Sequence, residues 1–537
     1  VDLHSGVEGR GGPWNLATRE SRNCGAVAYT AAIRLDAGSH SADPVSRHHE
    51  DPILLRVQQL THAYRQRVTV GERRGWGQFF TPLTVAKRMA EMVSGSGRRD
   101  VRILDPGAGT GLLGLTAACA VMARADTRVS LVAVEAQPAA HNILVDTCKW
   151  ASDQVAGRLT CQVVQADYLA PDTLAGCEPF DLVISNPPYG KISPRDARGG
   201  DSPNLYTRFM EVGAGQLRPG GELICIVPRS FTSGSYFRRF RARFHAAMAL
   251  EQMHVFASRR AAFASDGVLQ ETVIFRYRKR EPGRGELVRV TSCDGVSPGE
   301  VEQEVQLPRE QVLAGAESGA ALYIPKSGDD VRLLARLRGL RQRIEAFGCQ
   351  VSTGKIVPFR SRPQLRATSS PGETVPLLWM QHVQAGRIHW PLGGDFSKPE
   401  HILETAPGLV PNQNLVVIRR LSSKDEARRI TATVIEKEAL PGRVWGLENH
   451  LNYLYRVGGE LSLDEAWGLM TYLNSEPVDR YVRITNGHTQ VNASELRALP
   501  MPEMALLRGL GRDVRAQPSA AATLVEAAID HSLSKVD

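Results

Sequence analysis

Four polar side chains at the ends of four short apolar runs are the residues of this chain best suited to bind a ligand. Each run is short enough for one buried strand, and three of the four polar residues are acids. The carboxyl ends of parallel strands meet at one edge of an open α/β sheet, where such sheets bind their ligands. We therefore expect one pocket to be formed by Asp105, Glu135, Asp167 and Asn186.

The last of these residues opens the loop Asn186-Pro187-Pro188-Tyr189. The apolar run before it, 182–184, predicts a strand that is covered on both faces. The two prolines end this strand, because neither has an amide hydrogen and each fixes φ, so the loop is rigid. Taken alone, the loop is equally consistent with a proline-terminated strand and an incidental tyrosine. The three acid-ended strands before it favour a site.

A glycine-rich turn follows the first of the four strands. It reads DPGAGTG over 105–111 and leads into a predicted helix over 112–123. The glycines allow a tight turn and a close approach of a ligand to the backbone. The spacing is GxGxG and differs from the GxGxxG of dinucleotide sites, and an acid at the head of the turn suits a positively charged ligand. In the next strand, Glu135 stands where a carboxylate typically accepts hydrogen bonds from ribose hydroxyls.

Length and composition exclude several classes of protein. A chain of 537 residues needs more than one core, and 42% hydrophobic and 23% charged residues are ordinary for globular domains. The net charge of +8 is compatible with a polyanionic partner without demonstrating one. The eight cysteines include no CxxC pair, so we expect no metal site and no disulfide framework. The sequence has no run of 18 apolar residues, which predicts a cytoplasmic protein without a membrane span.

Changes in composition along the sequence predict two domains, with a further segment at each end of the chain. Residues 1–50 are rich in Gly, Ser, His and Arg, and we expect a flexible N-terminal arm there. The first domain spans 51–285, a polar connector spans 286–328, and a mixed domain of helices and short strands spans 329–505. We expect a C-terminal helical tail over 506–537.

These motifs resemble, in type and order, those of the gamma-type N6-adenine DNA methyltransferases of type II restriction–modification systems. The matching residues are Phe79-Phe-Thr-Pro82, the DPGAGTG turn, Glu135, Asp167 and Asn186-Pro-Pro-Tyr189. The resemblance is strong over 50–280 and looser over 330–505, and the turn departs from the DPACGTG common in the family. It implies an α/β fold: a Rossmann-like S-adenosylmethionine-dependent methyltransferase sheet with helices on both faces, followed by a mixed α+β target-recognition domain.

The resemblance also implies a cofactor, S-adenosylmethionine. The residues that would hold it, ordered from its methionine end through the sulfonium and ribose to its adenine, are Thr81, Asp105 with Gly107, Gly109 and Gly111, Glu135, and Asp167. The sequence around Thr81 has a second interpretation. Thr81 is a plausible N-cap for a helix over 83–93, with Pro82 at its first position.

The loop that begins at Asn186 would bind the target base. The Asn186 side-chain oxygen and the Pro187 carbonyl would accept the two hydrogens of an adenine amino group, which localises the nitrogen lone pair for methyl transfer. The adenine would be flipped out of double-stranded DNA and stack between Tyr189 and Phe263. A core side chain is the alternative interpretation of Phe263, and Phe256 competes with it for the stacking role.

Three segments carry groups suited to contact DNA. Lys191 and Arg195, beside the loop, would bind its backbone. The arginines of 237–244 either line a solvated helix face or contact phosphates, because the aromatic residues between them have helical spacing. The segment 486–492 carries Asn, Thr and Gln side chains of the kind that read base edges, and these are equally common in turns.

The leading hypothesis is therefore a site-specific DNA adenine-N6 methyltransferase that protects DNA from a cognate restriction endonuclease, which would be a separate protein. The same loop chemistry also suits methylation of RNA bases or of protein glutamine, and the roughly 200 residues after the first domain favour DNA. A catalytically inactive DNA-specificity module is a third reading. The complete set of strand-end residues counts against it.

Overall fold

The computed structural model describes the chain from residue 51 to residue 534, except for 70, 73–79, 96, 125, 191, 193–203, 257–270, 294–302, 314–320, 395 and 423–425. The predicted arm over 1–50 and the predicted site residues Lys191, Arg195 and Phe263 lie outside the described residues. In the described part of the chain, no helix is long and apolar enough to cross a membrane.

Nine described strands of the first domain form one sheet. They are β1 (Asp100–Pro106), β2 (Arg128–Glu135), β3 (Leu159–Gln165), β4 (Phe180–Ser185), β5 (Leu217–Pro228), β6 (Met248–Phe256), β7 (Thr272–Lys279), β8 (Leu287–Cys293) and β9 (Gln303–Pro308). Their order across the sheet is β3-β2-β1-β4-β5-β7-β6-β8-β9. The predicted boundary at 285 is wrong, because β8 and β9 lie within the predicted connector 286–328 and extend this sheet. Strands β1 to β5 are parallel, and β7 is antiparallel to both of its neighbours. The strand order reverses between β1 and β4, so a crevice opens at the carboxyl ends of these two strands.

Helices cover both faces of this sheet. They are α1 (Pro52–Arg67), α2 (Leu83–Glu91), α3 (Leu112–Met122), α4 (Pro138–Gln154), α5 (Leu205–Gln216), α6 (Arg238–Ala247) and the short α7 (Arg309–Val312). The six residues of β4 are all buried, and successive side chains enter opposite layers. Leu182 and Ile184 pack with α1 to α4, whereas Val183 packs with α5 and α6. Burial on both faces explains why the strand is apolar throughout.

The second domain combines small sheets with a layer of helices. Its strands are β10 (Cys349–Thr353), β11 (Leu365–Arg366), β12 (Thr374–Leu378), β13 (Val383–Gln384), β14 (Arg387–Ile388), β15 (His401–Leu403), β16 (Val410–Pro411), β17 (Leu415–Arg419), β18 (Ala432–Ile435), β19 (Val444–Leu447) and β20 (Leu451–Arg456). They form sheets of order β10-β20-β17-β18, β11-β15-β12-β19-β16 and β13-β14. The helices are α8 (Gly328–Arg338), α9 (Leu463–Leu473), α10 (Glu476–Thr485), α11 (Ala493–Ala498), α12 (Met504–Ala516) and α13 (Ala521–Ser534).

The described part of the predicted helical tail over 506–537 forms α12 and α13, and both helices pack into the core of the second domain. Leu507, Leu510 and Ile529 are buried in the same core as α9 and β10. Helices α9 and α12 approach so closely that a Cβ at Gly468 would lie 1.8 Å from the Leu507 carbonyl oxygen. The apolar positions of the two helices were visible in the sequence, but the surface that buries them is formed by residues distant along the chain.

Candidate active site

The glycine turn between β1 and α3 lies at the carboxyl edge of the sheet. Gly107, Gly109 and Gly111 have φ values of 76°, 57° and 90°, which L side chains rarely adopt. The amides of Gly107 and Ala108 both donate to the Val134 carbonyl at 2.9 Å. These hydrogen bonds hold the turn against the end of β2, so its backbone faces the crevice.

Asp105 lies beneath this turn and is only 1% exposed. Its Oδ2 accepts a hydrogen bond from the Gly114 amide at 2.8 Å, and a Cβ at position 114 would meet that same oxygen. Burial raises the pKa of Asp105 to about 7; the Gly114 hydrogen bond lowers it, and the neighbouring Glu135 raises it. Asp105 thus holds the first turn of α3 and places a titratable charge under the glycine turn.

Glu135, at the end of β2, is bonded to the backbone through both of its oxygens. Oε2 accepts from the Gly109 amide and Oε1 from the Gln137 amide, each at 2.8 Å. Burial raises the pKa of this carboxyl above its usual range. A carboxylate has about four lone-pair sites, so Glu135 shapes the turn and can still accept hydrogen bonds from a ligand.

Asp167 differs from the other two acids because it is exposed beyond the end of β3. Its Oδ1 accepts from the Leu169 amide at 3.0 Å, and its carbonyl accepts from the Thr173 hydroxyl at 2.6 Å. These local bonds fix the turn and leave the second carboxylate oxygen facing outward. The residue can therefore meet a polar group of a ligand at the outer end of the crevice.

The side chain of Asn186 is held from both sides. Its Nδ2 donates to the Thr81 hydroxyl oxygen at 3.0 Å, and its Oδ1 accepts from the Tyr189 hydroxyl at 2.9 Å. The Thr81 contact fixes which end of the amide faces the loop. An amide oxygen has two lone pairs, so a bond from Tyr189 does not by itself exclude a second donor.

The prediction that Thr81 caps a helix with Pro82 at its first position is wrong. Helix α2 begins at Leu83, its N-cap is Pro82, and no side chain caps it. Pro82 has an extended backbone with ψ 148°, which places Thr81 one residue outside the cap position. The Thr81 hydroxyl instead accepts the hydrogen bond from Asn186.

The Tyr189 ring points back into the domain. It packs edge-on against Tyr206, with ring centroids 6.4 Å apart, and its hydroxyl lies 3.3 Å from the Ile226 carbonyl oxygen. Burial raises the pKa of Tyr189 well above its usual value, so the hydroxyl remains a donor. Tyr206 is in turn bonded to the Ser230 hydroxyl at 2.9 Å. Sequence reasoning missed Tyr206 and Ser230, because neither belongs to a recognisable motif.

Helix α1 also supports the glycine turn, which the sequence did not indicate. The hydroxyls of Thr61 and Thr110 lie 2.6 Å apart, and both residues are buried. The Phe80 ring lies near Gly109 and meets Tyr64 edge-on with centroids 5.5 Å apart. The helix before the first motif is therefore part of the site's support.

The arginines of α6 divide between an exposed face, which carries Arg238, Arg239 and Arg243, and the interior, which takes Arg241. Arg241 is 3% exposed and donates to the carbonyls of Phe231, Ser233 and Gly234, so it does not reach a phosphate. It follows Phe240, which is buried in the core, so its own side chain enters the interior. Burial lowers the pKa of Arg241 to about 10.

The segment 486–492, considered for base reading, lies at the junction of the two domains. The Gly487 amide donates to the Ser233 hydroxyl at 3.1 Å, and a Cβ at Gly487 would lie 2.4 Å from the Arg229 carbonyl oxygen. Asn486 is buried and bonds to the Gln490 carbonyl at 2.9 Å. Gly487 therefore joins the domains, and Asn486 fixes the conformation of the segment. Thr489 is exposed.

Arg229 anchors this junction immediately after the carboxyl end of β5. It is 2% exposed, pairs with Glu271 at 2.8 Å, and donates to the carbonyls of Arg483 and Ile484, each at 2.7 Å. These carbonyls are at the end of α10, where a cation is favoured. The second domain is thus attached directly beside the crevice.

The strand order, the glycine turn and the acid at the end of β2 together define a class I S-adenosylmethionine-dependent methyltransferase fold. A solved structure of similar fold is the type IIL restriction–modification enzyme MmeI in complex with DNA. It covers 90% of this chain and 75% of its own, with a TM-score of 0.52 and 11% identity.

Family models place the chain more narrowly within this class. The N-6 DNA methylase model matches residues 63–205, and the Eco57I restriction-modification methylase model matches residues 159–263. Type II methyltransferase M.BsuBI of Bacillus subtilis is 32% identical over 81% of this chain and 89% of its own length. Type II methyltransferase M.PstI of Providencia stuartii is 32% identical over 82% and 89%. This chain belongs to the type II DNA methyltransferase family.

Proposed function

We propose that this protein methylates the N6 amino group of adenine at a short site in double-stranded DNA. The observation that carries the proposal is the orientation of Asn186 at the crevice edge. Thr81 and Tyr189 hold its amide so that an oxygen acceptor stands at the start of the loop. An exocyclic amino group is the substrate group that such an acceptor suits.

The loop residues act on this amino group by position and electrostatics. Its lone pair is delocalised into the purine, so the nitrogen is a poor nucleophile. When Asn186 Oδ1 and the Pro187 carbonyl accept its two hydrogens, the lone pair is directed toward the methyl donor. Pro187 suits this role because it is buried and its carbonyl is held by the rigid loop. No strong base is required, since the methylated nitrogen loses its proton readily.

The cofactor proposed for this crevice is S-adenosylmethionine, which supplies the methyl group. Glu135 fits its ribose, because the carboxylate is fixed by two amides and retains free lone pairs. The left-handed turn at Gly107, Gly109 and Gly111 lets a ligand approach the backbone without meeting a Cβ. Thr81 and Asp105 would lie at the methionine end, and Asp167 at the adenine end.

The target adenine must leave the duplex to reach Asn186, which costs a few kcal/mol of lost stacking and pairing. We assign Tyr189 and Phe263 to the stack that offsets this cost, at about 1–3 kcal/mol per base. The Tyr189 ring packs against Tyr206 in this structure, so stacking on a base requires the ring to turn toward the crevice. Lys191 and Arg195 remain the proposed backbone contacts beside the loop.

The type II relatives support a restriction endonuclease as the biological partner of this protein. Two are named type II methyltransferases and align with this chain over most of their length. We therefore assign it to protection of DNA against a separate cognate restriction endonuclease. A shorter relative, the rRNA N(6)-adenosine-methyltransferase metl-5 of Caenorhabditis elegans, is 27% identical over 150 residues, 28% of this chain and 62% of its own length. It is the reason to retain RNA as the alternative substrate.

The test is modification mapping by long-read sequencing of DNA from cells that express the protein or its Asn186→Ala variant. We expect N6-methyladenine in one short motif with the wild type and in none with the variant. The same cells supply ribosomal RNA and protein for analysis. Methylation of either one, without a DNA motif, would contradict the proposal.

A further inference from the structure

The most exposed large hydrophobic side chain of the described residues is Phe359, at 75%. It lies in the turn between β10 and β11 of the second domain. Among the large hydrophobics of the described chain, the next most exposed are Tyr236, Leu287 and Val457, at 56–58%. A single exposed apolar side chain is ordinary on a protein surface, so the exposure of Phe359 carries an argument only together with the charge and the geometry around it.

The charge around Phe359 identifies the chemistry of that partner. The 27 residues 346–372 contain no Asp or Glu, and their cations are Lys355, Arg360, Arg362 and Arg366. None of the four forms an ion pair with a described residue. By contrast, arginines elsewhere are neutralised, as Arg278 is by Glu222 and Glu251. An acid-free, unpaired basic turn is complementary to a polyanion.

The turn is rigid, so it presents Phe359 at little entropic cost. The amides of Arg360 and Ser361 both donate to the Val357 carbonyl at 2.9 Å. Ile356 is 1% exposed, and its backbone bonds to Leu447 at 3.1 Å and to Asn449 at 3.0 Å. The Arg360 guanidinium lies over the Phe359 ring, 5.3 Å from its centroid. The aromatic ring and the cation are therefore presented together by a turn whose backbone is held in place.

Hydrogen bonds connect the residues beneath this turn with the first domain. The Asn449 and His450 carbonyls accept from Arg420, whose own carbonyl accepts from the Val491 amide at 2.7 Å. Val491 belongs to the segment 486–492, which bonds to Ser233 beside the end of β5. A series of hydrogen bonds thus links the turn to the residues that follow β5, whose carboxyl end lies beside the crevice.

We propose that the turn 355–362 is a DNA-binding element in which Phe359 packs against bases while Arg360 and Arg362 neutralise phosphates. This inference rests on the proposed function, and it adds a named contact surface in the recognition domain. Aromatic stacking on bases is tolerant of sequence and contributes about 1–3 kcal/mol per base. An aromatic ring beside two arginines thus supplies affinity, and its fixed position supplies register along the site.

The test compares binding to a short fluorescein-labelled duplex that carries the mapped methylation motif. Phe359→Ala should weaken binding about 5-fold to 150-fold, and Phe359→Trp should retain it. Leu287→Ala removes an exposed apolar side chain from the start of β8 and should leave binding unchanged. S-adenosylmethionine binding, measured by calorimetry, should be equal in all four proteins.

The arginines are tested through salt dependence. Each phosphate contact contributes about 0.9 to the slope of log K against log salt. The Arg360→Ala/Arg362→Ala variant removes two contacts and should reduce the magnitude of this slope by about 1.8. Arg128→Ala/Arg158→Ala removes the same charge at the amino ends of β2 and β3, opposite the crevice, and should keep the wild-type slope.

Three results would overturn the proposal. The first is unchanged affinity and salt slope in both turn variants of a protein that methylates DNA, which leaves the proposed function intact. The second is a dimer that Phe359→Ala dissociates without weakening DNA binding, which makes the turn a contact between copies of the chain. A wild-type protein that neither binds nor methylates the duplex would overturn both proposals together.

Discussion

The buried carboxyl of Asp105 gives the fold a pH dependence that one isosteric substitution can isolate. Asp105 is 1% exposed, and burial raises its pKa from 3.8 to about 7. Asp105→Asn retains an oxygen that can accept the Gly114 amide at the 2.8 Å position and removes the charge. The variant therefore separates the electrostatic cost of Asp105 from its hydrogen bond.

The sign follows from proton linkage. Because the folded pKa lies above the unfolded one, the folded state binds the proton more tightly. The stability due to Asp105 is then complete below pH 3.8 and is lost as the pH rises to about 7. Each pH unit within this window costs at most about 1.4 kcal/mol, so the total reaches about 4 kcal/mol across the three units. The pKa of Glu135 is also raised by burial, so its contribution falls in the same direction.

The assay is urea unfolding of the wild type and of Asp105→Asn at a series of pH values from 5 to 8. The free-energy difference between them should shift in favour of the variant as the pH rises, and level off above about 7. Asp100→Asn is the control without a pH trend in this range, because a hydrogen bond from Arg128 lowers the pKa of Asp100 below 3.8, where the series does not reach. The pH curve of that variant should run parallel to the wild-type curve. Parallel pH curves for wild type and Asp105→Asn would refute the reasoning.

Three further substitutions test the site and its junction. Tyr189→Phe removes the hydroxyl 2.9 Å from Asn186 Oδ1 and should lower kcat about tenfold, with cofactor affinity unchanged by calorimetry. Glu135→Gln keeps an acceptor but introduces an amide N–H toward a backbone amide 2.8 Å away, and should weaken S-adenosylmethionine binding about tenfold in the same assay. Gly487→Ala places a Cβ 2.4 Å from the Arg229 carbonyl and should destabilise the junction by about 1–3 kcal/mol in urea unfolding, whereas Gly509→Ala meets nothing within 4 Å and should not.

The sequence predicted the catalytic sheet because its signals are local. Each of these signals spans only a few residues: an apolar run, a glycine-rich turn, or a pair of prolines that ends a strand. Strands β1, β2, β3 and β4 lie where these patterns predicted them. The same patterns carry the resemblance to a DNA methyltransferase family. The type II relatives confirm it over most of the chain.

Contacts between distant segments could not be predicted in the same way. Thr81 was assigned as a helix cap from its neighbours alone, whereas its hydroxyl accepts from Asn186, far along the chain. The sequence does not distinguish Arg241 from the three other arginines of α6, whereas the structure shows that Arg241 is buried. Asn486 has a base-reading side chain by type, yet it is buried and bonds to the Gln490 carbonyl and to Glu495. In each case tertiary packing decided among options that the residue type left open.

The most direct test of the central claim is the identity of the methylated atom. Purified protein, plasmid DNA and S-adenosylmethionine with a deuterated methyl group are incubated, and the digested nucleosides are analysed by mass spectrometry beside an Asn186→Ala reaction. We predict that the label appears as N6-methyl-2′-deoxyadenosine with the wild type and is absent with the variant. Label on cytosine, in protein, or equally in both reactions would contradict the account.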